Sequence, residues 1–402
     1  MKFRRFVIVV IVAVATGAGF AEETAVTVYP TRGHLSRTFA KMERSTQEKP
    51  ETLRVLFYGQ SIVGQQWHTI LMDGLRRKYP TAKFEVENRA IGGFTSPDLI
   101  RTAESDLYPY YPDLLFFHVY GPLDKYEAIV RKVRETTTAE IVLWTSHLRV
   151  GDDPRKMLEN RDERSRGILE IGEKYGCMVV DLNRKWCEML IKNGLNPADL
   201  LADNIHMKAP ATGAPSFAYY AGMIGEELCR MPGLSGEPEF SGTITEVKAT
   251  EDLAFDGNRV VAVSDGSGTG ETRIALDGRE PSSFAEMHYS TRPSAFVSWM
   301  PMIKHVDRAP EAMPVVEDWT LTYIEGTKSL GNPIHYRVKG SVTGDDGEGW
   351  NTNDFRSASG RAIIAKSDFH TWQYGYFYKC NEKYLKEHDQ TWSKDSKPGQ
   401  TI

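Results

Sequence analysis

Between Leu53 and Leu228, short apolar runs alternate with stretches whose apolar residues recur every three to four positions. Leu53 to Tyr58, Lys83 to Asn88, Leu114 to Tyr120, Ile141 to Thr145 and Met178 to Asp181 read as five short strands. Between them, Gln65 to Tyr79 carries Trp67, Ile70, Leu71 and Leu75 at helical spacing. Helices are also predicted from Ser96 to Ala103, Tyr126 to Glu135, through Arg166 to Tyr175, and from Ser216 to Leu228. Strands apolar on both faces, each followed by a helix, specify a parallel sheet covered on both sides. In such sheets the ligand sits outside the carboxyl ends of the strands, so chemistry is sought just after each strand.

The period changes near Pro232 to Pro238. Beyond it come short alternating runs: Thr243 to Lys248, Arg259 to Ser264, Thr272 to Leu276, Trp319 to Ile324, Ile334 to Lys339 and Arg361 to Ile364. Asp256-Gly257, Asp277-Gly278 and Asp346-Gly347 mark turns between them, the pattern of an antiparallel β-sandwich. The predicted organisation is a leader over 1–21, an extension over 22–50, an α/β domain over 51–231, a linker over 232–239 and a β-domain over 240–402. Arg4 and Arg5, an apolar stretch from Val7 to Val14 and a small-residue stop at Ala21 are the parts of a signal peptide. The stretch is short for a bilayer span of about 20 residues, although an uncleaved anchor would share its features. A secreted or periplasmic protein without a stable membrane span is expected.

A formal net charge of -5 gives no reason to expect a nucleic-acid partner. Aromatic residues make up 11%, compatible with stacking on sugar rings as well as with filling cores. Cys177, Cys187, Cys229 and Cys380 match no metal spacing and are read as structural or unpaired. Asp345, Asp346, Glu348 and Asp354 have the residue types of a Ca²⁺ site, but an acidic turn is the simpler reading, and no metal is expected.

Ser61 follows the first strand at Gly59-Gln60-Ser61, a glycine-led turn that opens a helix. A hydroxyl there meets free backbone N–H groups that favour developing negative charge; a plain helix cap would look the same. A serine nucleophile needs a base. Leu201 to Met207 forms a loop before the last helix, with Asp203 and His206 three residues apart. That spacing lets one loop set a carboxylate beside an imidazole, fixing its tautomer.

Together these segments, over Leu53 to Arg230, resemble the SGNH/GDSL hydrolases. Tyr58-Gly59-Gln60-Ser61 resembles the family's first block, in the form seen in some carbohydrate acetylesterases. Asn88-Arg89-Ala90-Ile91-Gly92-Gly93 is similar to the second, and Asp203-Asn204-Ile205-His206 to the fifth. The resemblance implies a flavodoxin-like three-layer α/β/α domain and a Ser61, His206 and Asp203 triad. It also implies an oxyanion hole from the Ser61 and Gly93 N–H groups, with Gly92 the alternative, and no cofactor. The third block departs: the family's Gly-x-Asn-Asp is replaced by Phe117-His118-Val119-Tyr120-Gly121-Pro122-Leu123-Asp124. His118, Tyr120 or the Gly121 N–H would have to stand in for the missing Asn.

His147, after the fourth strand, is a candidate to line the pocket or to serve structure; Arg89 is a candidate clamp for an acidic sugar or one half of a surface ion pair. The expected activity is deacetylation of an acylated polysaccharide or oligosaccharide. A uronic-acid polysaccharide lyase using Tyr120, His118 and His147, or a non-catalytic carbohydrate-binding protein, are the alternatives. C-terminal residues such as Val338 to Gly344 loosely resemble β-domains appended to secreted bacterial SGNH proteins.

Overall fold

The computed structural model describes residues 34–229, 275–293, 303–325 and 333–369 in full. Strand segments at 6–13, 26–30, 242–249, 259–264 and 390–395 are described by backbone alone. The leader's side chains, the linker over 232–239 and Cys380 lie outside the described residues. The chain packs as two units. The first takes the described residues of 1–10, 21–97 and 111–259; the second takes those of 11–20, 98–110 and 260–402.

The first unit is built on five parallel strands: β1 (Thr52–Gly59), β2 (Lys83–Asn88), β3 (Leu114–His118), β4 (Glu140–Trp144) and β5 (Met178–Val180). Their order is β2-β1-β3-β4-β5, every neighbour pairing parallel. This is the flavodoxin-like order, whose reversal between β1 and β3 opens a crevice at the carboxyl ends of the strands. The central strands β3 and β4 are buried at every position. Edge strand β2 instead places Lys83, Glu85 and Glu87 in solvent, a charged edge that discourages pairing with another chain.

Strand periodicity splits the core into two layers. Val55, Phe57, Leu114, Phe116, Val142 and Trp144 face one layer, in a cluster with α1 (Ser36–Arg44), α3 (Trp67–Lys78), α8 (Leu182–Asn193) and α10 (Ser216–Arg230). The intervening Tyr58 and Phe117 face the other way, where Phe117 meets Tyr126 of α5 (Leu123–Thr136) at 4.7 Å between ring centroids. Trp67, Trp144 and Trp186 are wholly buried. Burying a large apolar side chain of this kind contributes on the order of 1.5–3 kcal/mol of transfer free energy, which holds the helix layer against the sheet.

Two helical expectations are refined. The predicted helix from Gln65 is preceded by a separate single turn, α2 (Ser61–Gly64), because the chain becomes extended at Gln65 before α3 begins. The helix predicted through Arg166 to Tyr175 is α7 (Glu163–Lys174), and a separate short helix, α6 (Pro154–Glu159), precedes it, with Asp153 and Asp162 capping the two. Between α3 and α5 lies α4 (Ser96–Asp106), and between α8 and α10 the turn α9 (Pro197–Leu200).

In the second unit β6 (Tyr289–Ser290), β7 (Glu317–Gly326), β8 (Ile334–Gly340), β9 (Gly344–Trp350) and β12 (Gln390–Asp395) form an antiparallel sheet, order β6-β12-β7-β8-β9. A separate two-stranded ladder joins β10 (Phe355–Arg356) to β11 (Ile363–Ile364). Alternation along β8 buries Ile334, Tyr336 and Val338 with Trp319 and Phe369. The expected strand ending at Leu276 is reduced, within the described residues, to a bridge between Leu276 and Arg279. Asp277 and Gly278 turn there with φ of 47° and 74°, as a two-residue hairpin turn requires. Helix residue Arg101 belongs to this unit and binds Asp307 and the buried Asp368. The acidic turn is spent internally: Asp346 accepts from Ser359, Glu348 pairs with Arg337, and Asp354 accepts the Lys366 N–H. Among the described residues no group of acidic, His and Cys side chains is arranged to hold a metal.

Candidate active site

β1 delivers Ser61 to the carboxyl edge of the sheet. Gly59 is the residue that makes the approach possible: a Cβ there would meet the His118 carbonyl oxygen at 2.1 Å and Val63 Cγ2 at 2.5 Å. Beyond β2 the ladder continues, with Arg89 N–H donating to Phe57 O and Ile91 N–H to Gly59 O. Gly93 therefore comes two residues past the rung at Gly59, as Ser61 does on its own strand. On the other side His118 pairs with Gly59, so Tyr120 sits at the same level. Gly93, at φ 80°, turns the chain between Ile91 and Phe94. Among the described residues no backbone acceptor takes the N–H of Ser61 or of Gly93.

The loop after α9 brings the other two candidates. His206 Nε2 lies 2.7 Å from Ser61 Oγ, and His206 Nδ1 lies 2.8 Å from Asp203 Oδ2. Asp203 Oδ1 accepts the N–H groups of His206 at 2.7 Å and Ile205 at 2.8 Å. These two backbone donors, His206 first, hold the Asp203 carboxyl down at about 2, so it stays ionised at neutral pH. With Nδ1–H donating to this carboxylate, Nε2 is the acceptor for the serine hydroxyl. The Asp203 side chain is 58% exposed, so solvent screens its charge; it orients the ring more than it stabilises the fold.

The remaining candidates divide. His118 is fully buried and stacks on Trp144 at 5.3 Å, because it shares its strand face with Leu114 and Phe116. Its Nδ1 accepts from Gln60 Nε2 at 3.4 Å, and its Nε2–H donates to Ser146 Oγ at 3.1 Å. Burial holds it well below the usual histidine range, so it is neutral and its one donor is occupied. The expectation that His118 serves an oxyanion is corrected on this ground.

Tyr120 is different. Its hydroxyl is buried and interacts with the Ser146 side chain. Burial raises its phenol, against the opposing pull of Ser146, Arg149 and Arg164. Arg164 donates to the carbonyls of Val119 and Gly121, and Ser96 N–H donates to that of Tyr120, fixing this strand end.

The pocket-lining expectation for His147 is also corrected. It is 3% exposed and packs against Trp186 and Tyr220; its Nε2–H donates to Ile205 O at 2.7 Å. It braces the loop that carries Asp203 and His206, with Val150 N–H donating to Asn204 O beside it. Desolvation pushes the His147 imidazole down to about 4. Arg89 pairs with Glu87 at 2.6 Å, the surface ion pair, and does not present an uncommitted clamp. Cys177 and Cys187 are buried free thiols, the latter pushed by burial up to about 12, which makes neither a nucleophile.

Sequence reasoning missed Gln65, which joins the Ser61 turn to the His206 loop. It lies four residues after Ser61, and nothing in its local pattern announces a contact with residue 207.

No family model matches the chain, and no curated protein does. Among solved structures it is similar to an acetylxylan esterase, Axe2, from Geobacillus stearothermophilus, at 22% identity over 46% of this chain and 95% of that one, TM-score 0.37. It is also similar to LAE5, an alpha/beta hydrolase enzyme from the metagenome of Lake Arreo, Spain, at 15% identity over 45% of this chain and 97% of that one, TM-score 0.37.

Proposed function

We propose that this protein is a serine ester hydrolase that removes acyl groups, acetyl foremost, from a carbohydrate polymer. The observation that carries the reading is the continuous chain Ser61 Oγ, His206 Nε2, His206 Nδ1, Asp203 Oδ2, with links of 2.7 and 2.8 Å. Ser61 Oγ attacks the acyl carbon while His206 Nε2 takes its proton. His206 then returns that proton to the leaving sugar hydroxyl, leaving Ser61 acylated. Water, deprotonated by the same nitrogen, releases acetate and restores the serine. The negative charge on the acyl oxygen is met by the N–H groups of Ser61 and Gly93. Tyr120 Oη supplies the third donor in place of the missing Asn. The apolar leader, read as a signal peptide, directs this activity outside the cytoplasm, where polysaccharide is found.

The lyase alternative is disfavoured because His118 and His147 both spend their donors inside the protein. The deciding experiment incubates wild type and Ser61→Ala with acetylated xylan and acetylated glucuronan. Acetate release that vanishes in Ser61→Ala is the expected result. Unsaturated sugar products, or acetate release unaffected by the substitution, would overturn it.

A further inference from the structure

The Ser61–His206 contact joins residues 145 apart in sequence, and neither local segment alone fixes their separation. Gln65 bridges the two segments. Its backbone N–H donates to Ser61 O at 3.1 Å, which ties it to the nucleophile turn. Its side-chain Nε2–H donates to Met207 O at 2.9 Å, and its Oε1 accepts the Met207 N–H at 3.2 Å. One amide thus meets both backbone groups of the residue that follows His206.

A two-bond contact of this kind fixes both the position and the tilt of the Met207 peptide, as one rung of a β-ladder would. Met207 is itself 2% exposed and bridges to Leu201, while Ala202 N–H donates to His206 O at 2.7 Å. Within the loop, then, His206 is rigid with respect to Met207. Gln65 transmits that rigidity to Ser61. His147 and Val150 hold the far side of the loop at Ile205 and Asn204, by hydrogen bonds that do not involve the Ser61 turn.

We propose that Gln65 is a positioning residue for the triad: its side-chain amide sets the separation of Ser61 Oγ from His206 Nε2. The inference rests on the esterase reading for its kinetic consequence and on geometry alone for its structural one. A displacement of about 1 Å at a reacting pair costs on the order of 100-fold in rate, and the effect falls on the proton-transfer step, not on substrate binding.

The test uses the full chain with Gln65→Met, which keeps length and volume but makes neither bond, and Gln65→Glu, which is isosteric and, when ionised, has no proton for Met207 O. Expected results are a kcat lowered about 30- to 100-fold in Gln65→Met with KM changed less than about threefold, and a crystal structure with the Ser61–His206 separation lengthened by about 0.5 Å or more. If Gln65→Met does not fold, Gln65→Glu carries both measurements, with a smaller kcat loss expected. An unchanged Ser61–His206 separation, or a kcat within about threefold of wild type, overturns the proposal. Failure of the esterase reading looks different: wild type itself would then show no Ser61-dependent acetate release, and the crystallographic arm would still decide the clamp.

Discussion

Two serine–histidine pairs occupy the carboxyl end of the parallel sheet, and they have opposite character. Ser61 and His206 lie 2.7 Å apart; Ser146 and His118 lie 3.1 Å apart. The difference is at the other ring nitrogen. His206 Nδ1–H donates to the Asp203 carboxylate, which can only accept a hydrogen bond, so the Nε2 lone pair faces the serine hydroxyl. His118 Nδ1 faces the amide nitrogen of Gln60, a donor, so the proton resides on Nε2 and points at Ser146. A histidine beside a serine is thus a base or a structural donor according to its second partner. Environment reinforces this. The His206 loop is partly open to solvent, whereas His118 is sealed beneath Trp144.

The largest effect that would break this comparison comes from the two serines. Ser61→Ala should lower kcat/KM for an acetyl ester by at least about 10,000-fold, while Ser146→Ala changes it by less than about threefold. Equal losses in steady-state assays would mean that the pairs were not distinguished by tautomer. Asp203→Asn sharpens the point further. The amide would put an N–H against His206 Nδ1 and push its proton onto Nε2, converting His206 to the His118 arrangement. The expected cost is about 1,000- to 10,000-fold in kcat with the fold intact, checked by kinetics and circular dichroism together.

Tyr120→Phe should lower kcat about 100-fold with KM little changed, because an oxyanion donor acts only as charge develops. An unaltered kcat would leave the backbone N–H groups as the whole oxyanion hole. The buried pairs are expected to register in stability instead. His147 sits at about 4 in the folded protein against an ordinary 6.5, so between those values the unfolded chain binds more protons. Stability is therefore full above about pH 6.5 and lost as pH falls toward 4, by roughly 3 kcal/mol. In melting curves, His147→Asn should show a flatter dependence over that window than wild type. The smallest catalytic effect is expected at His118: in His118→Leu the melting temperature should fall, since Gln60 and Ser146 lose their partner, while kcat of the folded enzyme stays within about threefold.

Much of the site was legible from local pattern. Ser61 follows a strand and a glycine that must lack a side chain; Asp203 and His206 share one loop, and a three-residue spacing suffices to join them. His118 shows where such reading stops short and how it could have gone further. Its parity with Leu114 and Phe116 on a strand buried on both faces points it into the helix layer. His147 and Gln65 had no such signal. Each acts on a segment 58 or 142 residues away, through backbone groups whose identity carries no sequence code.

The sequence by itself determined the order of strands and helices, the change of period after Arg230 and the candidates Ser61 after a strand and Asp203 and His206 on one loop, because side-chain periodicity and turn chemistry are local. Only the tertiary structure decided which histidine has a carboxylate behind it. That choice depends on what faces the second ring nitrogen, and a ring's neighbours across a sheet are set by register and packing between distant segments. The same holds for Gln65: a glutamine's two hydrogen bonds become a clamp only once the folded chain brings Met207 within 3.2 Å of it.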